Sequence, residues 1–211
     1  MKTYDYAGPD PHAVRSHPWT VAAENPAARY LDLRADPALI RTSLEDFLPW
    51  SDWPAVDTFY SLLEWLNGAG STLESNDCAF VGPSENPTDG VPKALEATGR
   101  LMILWRKLPL NLSRENVEWL RIALHRSLNE TDPGLEYGVV GISVCRVRFV
   151  RLPVSGRKNL GLQLMLSFWA WGDTDEEVMA NLARVFRNLW DALRAAVTDA
   201  EGVIGRRPRG G

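Results

Sequence analysis

Histidine and cysteine, which supply most metal centres and covalent nucleophiles, are scarce here: three His and two Cys in 211 residues. His12 and His17 stand five apart in an irregular stretch. That spacing does not suit a helical metal pair, and no nearby cysteine completes a tetrahedral set. His125 falls beside Leu124, at the edge of an apolar helical stripe, and reads as structural or surface. Cys78 and Cys145 sit in apolar surroundings (DCAFVG and GISVCRVRFV) and are expected to be buried free thiols rather than a disulfide framework. HExxH, CxxC, GxSxG and phosphate-loop patterns are all missing, which removes the common catalytic solutions. Neither a metal nor a cofactor is expected.

Long apolar runs are lacking as well. The most apolar stretch, LGLQLMLSFWAWG, is shorter than the roughly 18 residues a membrane span needs. Residues 1–20 contain no continuous apolar core, so no secretory leader is expected, and a cytoplasmic location fits the unpaired thiols. Without such a leader, the glycosylation-like triplets at Asn111 and Asn129 read as chance.

The formal net charge is only −4, which by itself calls for neither nucleic acid nor a membrane surface. It is unevenly spread. Residues 1–90 carry 14 acidic and 5 basic side chains; residues 91–211 carry 13 and 18. Mutual neutralisation within one domain is the favoured outcome, with a charged face offered to a partner as the alternative.

Hydrophobic residues at 45% and charged residues at 24% describe an ordinary globular chain. Residues 1–28 show no lasting period and read as an N-terminal arm, packed through Trp19 and Tyr30. Residues 29–198 read as a single α+β domain and 199–211 as a flexible basic tail carrying Arg206, Arg207 and Arg209. Two short helices are expected at 37–47, with Asp36 as cap and Pro37 opening it, and at 54–67, with Pro54 at its first position and Gly68 at its exit. Strands follow at 77–81 and 100–108, joined by a Pro/Gly-rich connection over 82–99. Leu101, Ile103 and Trp105 alternate with Met102 and Leu104, so this strand is apolar on both sides and should be central.

A helix over 113–129 is capped by Ser113 and carries a stripe of Val117, Leu120, Leu124 and Leu128. Strands at 138–152 and 160–171 come next. In the first, the apolar parity changes near 144–145, predicting a bulge or a change of covered face. Thr174 and Glu177 form a capping box opening the last helix, with the stripe Val178, Leu182, Val185, Leu189 and Leu193. The expected fold is an antiparallel sheet from two successive ββα units, 77–129 and 138–195, preceded by the two short helices.

Candidate sites are surfaces rather than reactive clusters. Trp50, Asp52, Trp53 and Asp57 flank a polar turn, with Glu45 and Asp46 alongside; indoles beside carboxylates make a plausible protein anchor. Arg146, Arg148, Arg151, Arg157 and Lys158 form a secondary basic patch suited to an acidic protein contact, with nucleic acid disfavoured. Asp173, Asp175, Glu176 and Glu177 are explained by the helix terminus they open. Trp169 and Trp171 share a strand face with Met165 and are expected to bury beneath the N-terminal helices. The function favoured is a non-enzymatic protein-binding domain, an accessory or toxin-neutralising protein. One alternative is a small-ligand domain or enzyme with a pocket bordered by 82–99 and 153–159, drawing polarity from Glu85 and Asp89. Another is a structural assembly component, and self-association is left open.

Overall fold

The computed structural model describes residues 1–5, 14–18, 30–150, 152 and 159–204. Its elements are β1 (Lys2–Asp5), β2 (Val14–His17), α1 (Leu39–Thr42), α2 (Pro54–Asn67), β3 (Leu73–Glu85), β4 (Leu95–Trp105), α3 (Arg114–Glu130), β5 (Gly138–Phe149), β6 (Leu160–Gly172) and α4 (Asp175–Ile204). Short 3-10 turns at Leu48–Trp50 and Leu108–Leu112 precede α2 and α3. Residues 205–211, with the three tail arginines, lie outside the described residues.

The three long helices form as their sequences dictate. Ser113 accepts from the Asn116 amide and caps α3, whose stripe of Val117, Leu120, Leu124 and Leu128 is buried. Thr174 accepts from the Glu177 amide at the start of α4. The Glu177 carboxylate reaches the Asp173 amide instead of completing the box on Thr174. α1 is a single turn: Asp36 does accept from the Ala38 amide, but the helix stops at Thr42. Beyond it, Phe47 is drawn between the rings of Phe59 and Phe80, with centroids 4.6 and 4.9 Å away.

The fold is mixed α and β with one mixed sheet of six strands, rather than a purely antiparallel one. The order is β1-β5-β6-β4-β3, with β2 also on β5. β5, β6, β4 and β3 pair antiparallel, whereas β1 and β2 lie parallel to β5. Both strands fall in the stretch that composition marks as an arm. They are too short for any periodic signal, and they take up the backbone groups of an edge that would otherwise be open. Half of the 82–99 stretch is strand: its ends belong to β3 and β4, and residues 86–94 form the turn between them.

α2, α3 and α4 pack on one face. Leu101, Ile103, Leu164, Leu166, Phe168, Val140 and Ile142 meet them in the main core. β4 is central and apolar on both sides, as its sequence predicts. Along β5 the register with β6 runs unbroken, so there is no bulge at 144–145. The covered face changes instead: Val147 and Phe149 pack with Leu104 in a second cluster on the face opposite the helices.

That second face is enclosed because the sheet curls. β2 and β3 sit at opposite ends of the strand order, four spacings or roughly 19 Å apart if the sheet were flat. Yet Arg15 of β2 reaches Asp77 of β3 at 2.7 Å, and His17 reaches Glu74 at 3.1 Å. The two edges are therefore closed on each other by side chains.

Candidate functional site

Two features stand out: an acidic, aromatic ridge between α1 and α2, and a polar seam where β2 meets β3.

The ridge is the turn 48–54. Phe47 holds one end in the core and α2 begins the other, with Pro54 at its first position. The Trp50 indole lies directly over Gly82 of β3. A Cβ there would stand 2.0 Å from the ring, so only glycine lets the indole seat so closely. Trp50 and Trp53 are half-buried against the main core. Leu48, Pro49, Asp52, Pro54 and, across the seat, Val81 at 55% are exposed. Glu45 and Asp52 are exposed with no ion pair among the described residues. Asp46 accepts from the Phe80 amide, and Asp57 binds Arg41 at 2.8 Å. Glu64 also binds Arg41, and these two hydrogen-bonded carboxylates, Glu64 first, hold its guanidinium above the usual arginine value.

Neutralisation between the two halves of the chain is limited. Among the described residues only Arg100–Asp77 and Arg121–Asp5 join them; the other pairs form within a half. The first half therefore keeps acidic surface to offer.

The seam was not legible in sequence. His17 Nδ1 meets the side-chain oxygen of Asn76 at 2.8 Å, and Nε2 meets Glu74. Asn76 is oriented by donating to Gln163 at 2.9 Å and to the Ser16 carbonyl. Both ring nitrogens thus face oxygens. The other Glu74 oxygen accepts from Arg34 at 2.5 Å. Beside this cluster lies a cavity of about 180 Å³, lined by His17, Tyr30, Arg34, Glu74, Ser75 and Arg106 among others. It lies away from the pocket expected between 82–99 and 153–159, and of that turn residues 153–158 fall outside the described residues. His17, on a four-residue strand, and Glu74 and Asn76, at the start of a longer one, carry no local signal of convergence.

Arg146 and Arg148 are exposed and share the helix side of β5, in the regular register expected. Arg151, Arg157 and Lys158 lie outside the described residues. Trp169 and Trp171 face away from the helices, because the neighbouring positions Phe168 and Ala170 take the core side. Trp171 is buried and donates to Glu96 at 2.8 Å; the Trp169 ring lies tilted against Tyr4, with centroids 5.9 Å apart. Burial beneath the N-terminal helices is thus corrected: α2 packs in the same layer as α3 and α4.

The acidic start of α4 is occupied by Lys93, which binds Asp173 at 2.8 Å and Glu177 at 2.6 Å. The hydrogen bond from Lys93 holds both carboxyls below their usual values, helped by the backbone amides of Ala94 and Asp173. Among the described residues no group of three or more His, Cys, Asp or Glu is placed to hold a metal, and no helix is long and apolar enough to cross a membrane. Cys78 and Cys145 are free and half-buried. Burial first, then the nearby Asp77 and Asp46 charges, push the Cys78 thiol up to about 12.

No family model, curated protein or solved structure matches this chain.

Proposed function

We propose that this chain is a non-enzymatic protein-binding domain, an accessory or toxin-neutralising protein, that receives a basic partner surface on the Trp50–Asp57 ridge. The scaffold behind the ridge is read as two successive ββα units. One observation carries the proposal: the ridge presents apolar side chains and the exposed Asp52 carboxylate, which has no ion pair among the described residues, on a backbone anchored twice, by Phe47 in the core and by Trp50 on Gly82. Partly exposed aromatic anchors on a rigid base lose little freedom on binding, and flanking carboxylates steer a basic partner.

The test is affinity capture from the native cell with the intact chain and with a variant replacing Trp50, Asp52, Trp53 and Asp57 together. Thermal unfolding verifies that the variant folds. A stoichiometric protein retained by the first and lost by the second is the expected result. Asp52→Lys alone, at an exposed position, should slow association and weaken its salt dependence. Equal capture by the folded variants overturns the ridge. Symmetric self-association in scattering, with no other protein retained, would instead mark an assembly component.

A further inference from the structure

The cavity beside the seam is a site in its own right, independent of the ridge. Its walls come from four places: His17 and Pro18 at the end of β2, Tyr30 to Arg34, Glu74 and Ser75 of β3 with Asn67 of α2, and Arg106 and Leu108 just after β4. Most of its polar groups are already matched. Glu74 is divided between His17 and Arg34, and Asn67 and Ser75 bond each other. Asp32, on the same wall, accepts from the Ala35 amide.

Arg106 is the exception. One terminal nitrogen donates to the carbonyls of Leu66, Gly68 and Leu73, at 3.2, 2.7 and 3.4 Å. Its Nε is buried with no partner, and no carboxylate pairs with it among the described residues. Carbonyl oxygens fix the plane of the guanidinium but do not neutralise its charge. Arg34, 47% exposed, lines the same cavity and uses one nitrogen on Glu74, leaving further donors. Burial, and then the Arg34 charge, hold the Arg106 guanidinium below its usual value, against the smaller opposing effect of the Glu74 charge. Among the described residues two guanidinium groups and the carboxylates of Asp32 and Glu74 border this small polar space, and of the two cations Arg34 alone is ion-paired, with Glu74.

We propose that this cavity binds a small oxyanion, a carboxylate or phosphate-type group, held between Arg34 and Arg106. Guanidinium groups are suited to this task because their planar donor forks match carboxylate and phosphate oxygens. The volume of about 180 Å³ limits the occupant. An engineered cavity of about 150 Å³ accepts benzene, so the guest here has on the order of ten heavy atoms or fewer. Leu33 and Leu108 add an apolar wall for a short hydrocarbon part.

The experiment is calorimetric titration of the full chain with inorganic phosphate, acetate and benzoate, each against chloride at matched ionic strength. Saturable binding of at least one probe in the millimolar range or tighter is expected. Benzoate over acetate would assign a carboxylate with an apolar body; phosphate over both would assign a phosphate-type group. Arg106→Gln removes one of the two guanidinium groups but loosens three carbonyls and could unfold the chain. Arg34→Gln, at an exposed side chain, keeps the question answerable and should weaken binding about tenfold. Arg126→Gln, remote on α3, should leave it unchanged. Three outcomes overturn the site: no saturable heat with any probe, equal binding by Arg34→Gln, or a high-resolution structure at saturating probe with only water between the two guanidinium groups.

Discussion

Replacing His17 by alanine tests whether the curled sheet is held shut by its seam. The substitution takes a hydrogen bond from Glu74, whose side chain is 3% exposed, and another from Asn76. Leaving a buried polar group without its hydrogen-bond partner costs about 1–3 kcal/mol, and more when that group is charged. Here Arg34 still answers Glu74 and the adjoining cavity admits water, so a loss of about 2–3 kcal/mol is expected. For a chain of this length that corresponds to a fall in melting temperature of roughly 4–12 °C. Stability alone does not isolate the pair, so a double-mutant cycle with Glu74→Gln is needed. Urea unfolding of the four proteins should give a coupling of about 1.5–3 kcal/mol. Hydrogen exchange should show Val14–His17 losing protection while α3 and α4 keep theirs. A coupling under about 0.5 kcal/mol, with β2 amides unchanged, would refute the idea that these side chains close the sheet.

Other perturbations probe separate parts of the molecule. Asn111 is fully buried and its amide bonds both the N–H and the C=O of Trp105. Asn111→Ala should cost about 2–4 kcal/mol in urea unfolding, because it leaves two buried backbone groups unpaired. Gly82→Ala should expel Trp50 from its seat, raising acrylamide quenching and costing about 1–3 kcal/mol by overpacking; an unchanged quench would remove Gly82 as the anchor. Asp173 and Glu177 have lowered folded values, so the Lys93 tether is complete above the ordinary carboxylate range and is lost as pH falls through those lowered values. NMR shifts of residues 86–94 should follow that acid transition. Cys78 should resist iodoacetamide at pH 8 in the folded protein and react readily in denaturant.

The helices and central strand were written in local sequence. Val117 to Leu128 and Val178 to Leu193 repeat at helical spacing, and Ser113 and Thr174 mark their starts, so chain-local geometry alone determines which face is buried. The two-sided apolarity of Leu101–Trp105 likewise marks β4 as central. The Trp50–Asp57 turn could be singled out as a candidate because its residues are near neighbours in the chain. What tertiary structure decided is everything that depends on distant segments meeting. Four-residue strands carry no period, so the parallel docking of β1 and β2 on β5 was invisible. Gly82 gains its role only from an indole more than thirty residues earlier in the chain. His17, Glu74, Asn76 and Gln163 are unremarkable polar residues in sequence. The curl of the sheet brings them together and places Arg34 and Arg106 around one cavity, because strand coiling, not residue spacing, sets the distance between its edges.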